Sequence, residues 1–385
     1  MLHEELAHFS DLLEQATSPS DVFPSLLVPN RNTEERLAHL EEEYIQFMQD
    51  LNPDRFFGNT QAQNAARHLL SKLYVWHQRA EQRVRAEEQA PDQTPGPPFE
   101  TRLRSVHPPL PNDATEFTIA TPSGTFRADR FLAQGDVAML YRGRCIAGSQ
   151  SDVEVVLKIA MDKRDNTLIA QEVQFLRTLR YAEGQQTKHF PEVIAEFCTP
   201  NGVAGSILSY LPGHDFEGLR KRFPDGISAE HGVWILARAL SALGFAHKQG
   251  IIHGNIDPAH LIVSPPDHNL FVIDWTSAVI APEKTGQGFR VHNPDYSPPE
   301  VLERKPPLPA SDLYSLGKAM IYLLGGDVQQ ITLPSSVDER MVRFLQFLCR
   351  QSPRQRAQDA WETARQLSEL RTEVFGPPRF LPLEM

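Results

Sequence analysis

Ile251-Ile-His-Gly-Asn-Ile-Asp-Pro-Ala-His-Leu-Ile-Val263 decides how the rest of the chain is read. Four side chains with usable chemistry, His253, Asn255, Asp257 and His260, lie between an apolar dipeptide and an apolar run. Asp257 precedes Pro258, and an aspartate there ordinarily serves its own turn by accepting from nearby backbone N–H groups. Upstream, Ser228 followed by Glu230-His231 reads as the N-cap of a long helix that Gly250 stops. Downstream, Leu270-Phe-Val-Ile-Asp-Trp-Thr276 is an apolar strand ending in Asp274. A long helix, a polar loop and short strands in this order predict a mixed α+β architecture.

The whole chain narrows the class. Its 385 residues suffice for about two or three domains at roughly 150 residues each. A composition of 41% hydrophobic and 23% charged residues is that of a globular protein. The net charge of −11 gives no general electrostatic case for nucleic acid or an acidic membrane surface. Cys145, Cys198 and Cys349 are far apart, which argues against a disulfide framework or structural zinc. Met1-Leu-His-Glu-Glu-Leu6 lacks a basic start and apolar core, and no apolar run is long enough to span a bilayer. A cytoplasmic location is expected.

Three parts separate along the chain. Residues 1–88 read as helical. Residues 89–115 hold Pro91, Pro95, Pro97, Pro98, Pro108, Pro109 and Pro111 among polar residues, a density that disfavours helix and predicts an extended linker. Residues 116–376 begin with short β-like runs and continue as helices from about Ser228. In the first part, Leu37, Leu40, Tyr44, Phe47, Met48 and Leu51 form one helical stripe. Ala62, Ala66, Leu69, Leu70, Leu73, Trp76 and Ala80 form another. Asn52-Pro-Asp-Arg-Phe-Phe-Gly58 breaks the helix between them, so a small antiparallel helical hairpin is expected.

The 251–263 stretch resembles the catalytic loop of protein kinases, H-R-D-L-x-x-x-N. His253 keeps the His, Gly254 replaces the Arg, Asn255 the catalytic Asp, and His260 the metal-binding Asn. An Asn side chain is not basic near neutral pH, and magnesium prefers oxygen ligands to imidazole. Other motifs follow in kinase order. Leu132-Ala-Gln-Gly-Asp-Val-Ala-Met-Leu-Tyr141 is similar to the glycine-rich loop, keeping only Gly135, with Ala133 and Ala138 at the outer positions. Val155-Val-Leu-Lys158 is similar to V-A-I-K, and Glu172 stands where the resemblance implies an ion pair with Lys158. Asp274-Trp-Thr276 matches D-F-G, with Asp274 in the metal-binding role and Thr276 making a backbone flip less easy. Ser206–Leu211 corresponds to the strand entering the hinge, Tyr296-Ser-Pro-Pro-Glu300 to A-P-E, Asp312 to the anchor of the catalytic loop, and Arg356 to the partner of Glu300. With Gly254 in place of the Arg, phosphorylation at Thr276, Ser277, Thr285 or Ser297 would lack its usual receptor.

The resemblance implies a bilobal protein-kinase-like fold, with an N-lobe at about 116–211 and a C-lobe at about 212–376, after a small all-α hairpin domain. Gly135, Lys158, Glu172 and Asp274 would hold ATP, with Mg2+ on Asp274 and on the replacement ligand His260. Over roughly residues 20–88 the hairpin resembles the J-domain of DnaJ-type co-chaperones, whose His-Pro-Asp engages a DnaK-type chaperone. Pro53 and Asp54 match, and Asn52 replaces the His. The expected function is that of a pseudokinase: nucleotide-binding, impaired in transfer, acting through protein partners. Two alternatives stand beside it. One is an atypical Ser/Thr kinase using Asp257 or Asn255, and the other a J-domain-like co-chaperone adaptor.

Overall fold

The computed structural model describes residues 2–16, 18–27, 33–51, 116–148, 152–182, 184–303, 305–377 and 379–384, with residue 55 and positions 62, 65, 66, 69, 73, 77, 80 and 84. The chain divides into two compact units, Met1–Thr101 and Arg102–Met385.

In the first unit, helix α1 (Leu2–Gln15) precedes α2 (Thr33–Asp50). Leu40, Tyr44 and Leu51 are buried, while Leu37, Phe47 and Met48 are half-buried along the same face. Ala62, Ala66, Leu69, Leu73 and Ala80 are helical and buried at intervals of three or four, joined by His77 and Val84. The His77 ring stacks on Tyr44 at 4.0 Å. The stripe read from sequence placed Trp76 at this level, because an imidazole carries no apolar signal. Leu70, Trp76, the Asn52-Pro53-Asp54 motif and the proline-rich stretch 89–115 lie outside the described residues.

The second unit opens with a six-stranded antiparallel sheet in the order β1-β2-β3-β4-β6-β5. The strands are β1 (Phe117–Thr121), β2 (Gly124–Gln134), β3 (Ala138–Ala147), β4 (Glu154–Ala160), β5 (Val193–Cys198) and β6 (Ala204–Ser209). Side chains alternate between faces along a strand. Val155 and Leu157 of β4 therefore join Phe126, Ala128, Tyr141 and Ile207 in one core. Lys158 points to the opposite face, where helix α3 (Asn166–Tyr181) packs with Ile169, Val173 and Leu176 buried.

Beyond β7 (His214–Asp215) and α4 (Phe216–Arg222) the unit is mainly helical. Helix α5 (Ala229–Lys248) starts at Ser228, whose side chain accepts from the His231 N–H at 3.4 Å. The chain then forms β8 (Ile251–Ile252), β9 (Leu261–Ser264), β10 (Asn269–Val272) and β11 (Val279–Ile280). These strands pair as the small sheets β10-β9-β7 and β11-β8, which pin the polar loop at both ends. Helix α6 (Pro309–Leu323) is buried almost all round, as a helix at the centre of a core must be. Helices α7 (Glu339–Leu348) and α8 (Ala360–Phe375) follow, α8 lying along α5. The tail after α8 folds back onto the unit. Arg379 pairs with Glu230 at 2.8 Å, and Phe380 lies 4.9 Å from His268. No helix among the described residues is long and apolar enough to cross a membrane.

Candidate functional site

Strand β4, helix α3 and the end of β10 bring three charges together. Lys158 Nζ lies 2.7 Å from Glu172 Oε2 and 2.6 Å from Asp274 Oδ1. The Trp275 N–H donates to Glu172 Oε1 at 3.0 Å, so α3 is fastened to the turn carrying Asp274. Asp274 holds the left-handed backbone (φ 61°), and Trp275 is fully buried against His253 and Phe190. Burial opposes the charge on Lys158, but Asp274 and Glu172 outweigh it and raise the ammonium's pKa. Burial also opposes ionisation of Asp274, yet Lys158 and His260 hold that carboxyl well below its ordinary range. Glu172 is pushed up by its burial in spite of Lys158.

The polar loop hangs from Asp312 of α6. Its Oδ2 accepts from the His253 N–H at 2.9 Å and its Oδ1 from the Gly254 N–H at 2.8 Å, while His247 Nε2 adds a 2.9 Å contact. Gly254 has φ +72°, and a Cβ there would stand 3.3 Å from Ser277 O. The backbone conformation thus suits glycine at the position where the kinase pattern has Arg. His253 is fully buried and accepts from the Asn255 N–H on Nδ1, which leaves Nε2–H to donate to Ile273 O at 3.0 Å. Burial lowers its pKa, consistent with a neutral, structural ring.

Asp257 and His260 act as a pair. Asp257 Oδ1 accepts from the Ala259 N–H at 2.9 Å and the His260 N–H at 3.2 Å, capping the short turn Pro258–His260. Asn293 Nδ2 reaches its Oδ2 at 3.4 Å. The turn role expected for an aspartate before proline is thus what the geometry shows, with the carboxylate already engaged on both oxygens. His260 Nδ1 lies 2.8 Å from Asn255 O and 3.2 Å from Asp257 Oδ1, and Nε2 lies 3.2 Å from Asp274 Oδ2. Each ring nitrogen therefore faces acceptors only, the setting of a doubly protonated imidazolium. Burial opposes that charge, but Asp257 and Asp274 prevail and carry the pKa to about 10.

The metal-ligand role considered for His260 finds no support in this geometry, in which both ring nitrogens lie against acceptors. A ring that donates from both nitrogens has no lone pair to give a cation. The fit of magnesium to the whole site is equally poor. Asp274 Oδ1 is taken by Lys158 and by the Thr276 hydroxyl at 2.8 Å, and Oδ2 by His260. Magnesium asks for oxygen ligands in near-octahedral array. Among the described residues no group of three or more His, Cys, Asp or Glu side chains is arranged to hold a metal.

The remaining residues singled out in the sequence frame the same cleft. Gly135 turns the hairpin between β2 and β3, its N–H donating to Ala138 O at 2.9 Å. Ala133 is exposed, whereas Ala138 is buried with Ala160 and Ile169 and is a core residue. After β6, the Leu211 N–H meets no acceptor among the described residues. Two participants were missed in the sequence: the Thr276 hydroxyl on Asp274 and the His247 contact to Asp312. The first was read as a lost glycine and as a position for phosphorylation, not as a donor to Asp274. The second carries a single signal, a histidine in the last turn of α5.

One expected result follows at once. A histidine whose folded pKa is raised is stabilised by its charge below the ordinary value of about 6.5, and that stability is lost as pH rises through the folded value. Ring-nitrogen NMR at pH 8 should therefore show one imidazolium that is absent in His260→Asn. Stability of the wild type should fall as pH rises through about 10, with a flatter profile in the variant. A neutral ring at pH 8 would refute this assignment.

Comparison with known proteins agrees with the geometry. The model of the family described as protein kinase domain matches residues 126–372. Serine/threonine-protein kinase pkn3 of Myxococcus xanthus is 27% identical over 228 residues, covering 56% of this chain and 40% of that protein. Maternal embryonic leucine zipper kinase of Danio rerio is 31% identical over 144 residues, 36% of this chain and 20% of that one. Serine/threonine-protein kinase F of Synechocystis sp. is 29% identical over 131 residues, 32% and 26%. The alignments span less than half the length of each of these relatives.

Proposed function

We propose that this chain, which belongs to the protein kinase family, is a nucleotide-binding pseudokinase that works through protein recognition. Kinase domains in general use ATP with Mg2+. The observation that carries the reading is the content of the polar loop. Asn255 stands where the general base would be, and His260 closes onto Asp274 at 3.2 Å where a metal ligand would be. Nucleotide binding is supported by the residues that remain. Lys158 is paired with Glu172 for the phosphates, Gly135 turns the loop above them, and the Leu211 N–H is available to an adenine edge. Phosphoryl transfer rests on positioning and electrostatics, and general-base catalysis typically contributes about 10²–10⁴-fold.

The test is a thermal-shift titration with ATP beside a transfer assay. At about a hundred times its dissociation constant ATP should stabilise the protein by about 2.7 kcal/mol, and Lys158→Ala should abolish the shift. Phosphate incorporation should stay at the Lys158→Ala background. Rapid incorporation by the wild type would favour the atypical-kinase reading, in which Asp257→Asn should abolish transfer. The cap geometry of Asp257 supports the pseudokinase instead.

The partner-binding part of the proposal falls to the N-terminal helical unit. Its resemblance to a J-domain makes a DnaK-type chaperone the partner to try first. Stimulation of such an ATPase by the full chain, lost in Asp54→Ala, would support the co-chaperone reading. An unchanged ATPase rate would remove it.

A further inference from the structure

We propose that the cleft takes its nucleoside triphosphate free of a divalent cation, with the His260 side chain occupying the place of the metal. The inference rests on the nucleotide-binding reading and sharpens it, since the ligand becomes the metal-free polyanion. Three features of the geometry carry it.

First, the carboxylate that would hold the metal is already satisfied. Lys158 and the Thr276 hydroxyl donate to Asp274 Oδ1, and His260 Nε2 reaches Oδ2. Magnesium would have to displace these donors, and it gives up its own waters reluctantly.

Second, His260 is itself held in place. Its Nδ1 is anchored on Asn255 O at 2.8 Å and lies beside Asp257, whose Oδ1 also receives the His260 backbone N–H. A ring fixed on three sides does not swing away to clear a metal site. Its partners are contributed by the loop and by the end of β10, so the arrangement comes from several parts of the chain.

Third, the carboxylates that a metal would otherwise offset are already paired within the chain. A triphosphate entering beside Asp274, Glu172 and Asp257 meets three carboxylates, and a bound cation normally offsets such charges. Lys158 faces two of them at 2.6 and 2.7 Å, and His260 faces Asp274 and Asp257 at 3.2 Å. Every carboxylate thus has a nitrogen donor from the chain itself.

Isothermal titration of the full chain with ATP, in EDTA and in millimolar magnesium, tests the idea. Millimolar magnesium draws most ATP into its magnesium complex, so the expected result is an apparent dissociation constant at least about tenfold weaker in magnesium than in EDTA, a change of about 1.4 kcal/mol or more. Binding as tight or tighter with magnesium would overturn the inference and leave the nucleotide-binding reading intact. Binding in neither condition would overturn both. In His260→Asn, an oxygen-bearing side chain replaces the ring, and magnesium should now tighten ATP binding by about tenfold or more. The wild-type comparison needs no variant, so it decides the question even if His260→Asn fails to fold.

Discussion

Arg356→Ala is expected to cost about 3–5 kcal/mol of the stability of the second unit, because it leaves a carboxylate buried without its cation. Arg356 Nη1 and Nη2 donate to Glu300 Oε1 and Oε2 at 2.8 and 2.7 Å, a bidentate pair with both side chains essentially out of contact with water. The Ser311 hydroxyl adds a third donor to Glu300 at 2.8 Å. The guanidinium also donates to the carbonyls of Arg350, Gln351 and Ala310 and lies 4.6 Å above the Tyr314 ring. Truncation to alanine therefore strips Glu300 of its cation and leaves three carbonyl groups and an aromatic face without their partner. Arg356→Lys should recover only part of the loss, since an ammonium cannot make the parallel pair of bonds. Replacing Glu300 and Arg356 together with apolar residues should cost less than Arg356→Ala alone. Urea denaturation followed by tryptophan fluorescence checks this, with Trp275 buried in the core as a reporter. A loss below about 1 kcal/mol, the value of an exposed pair, would mean that water reaches Glu300 in the folded protein.

Most of the second unit was legible because its motifs are geometric constraints spread along the chain. Lys158, Glu172 and Asp274 are separated by 14 and then 102 positions, yet each had to face the others for the kinase reading to hold, and the three meet within hydrogen-bond distance. Asp312 and the loop it anchors are legible for the same reason. What the sequence hid is the sign of the change at His260. A substitution in a known motif reads as a loss, and only the folded structure reveals that the new side chain lies 3.2 Å from the Asp274 carboxylate. The Asp257–His260 spacing within one turn was the available hint. The tail beyond α8 was invisible because Arg379, Phe380 and Leu383, which hold it to the unit, form no periodic pattern. In the first unit, His77 was overlooked for the plainer apolar neighbour Trp76, although its ring stacks on Tyr44.

The double variant Asn255→Asp with His260→Asn should gain phosphoryl transfer by about 10²–10⁴-fold over the wild type, the span typical of general acid–base catalysis. The two changes address different deficits. Asp at 255 supplies a carboxylate able to accept the proton of a substrate hydroxyl, which the native amide cannot do. Asn at 260 removes the donor from Asp274 Oδ2 and offers an oxygen in its place, while its amide N–H can still reach the 255 carbonyl that His260 now holds at 2.8 Å. The loop keeps its shape because Asp312 grips the backbone at His253 and Gly254, not the side chains being exchanged. Asn255→Asp alone should give much less, since a base without a metal-competent Asp274 has no positioned phosphate to work on. The check is incorporation of labelled phosphate into a generic Ser/Thr substrate with magnesium and ATP, with Asp274→Asn added to the double variant as the control that must erase the gain. If the double variant stays at background while binding ATP, the block lies elsewhere, and Ala133 and Ala138 in the phosphate loop become the residues to exchange for glycine. If the wild type already matches the double variant, neither substitution was the deficit it is taken for, and the chain is an active kinase by another route.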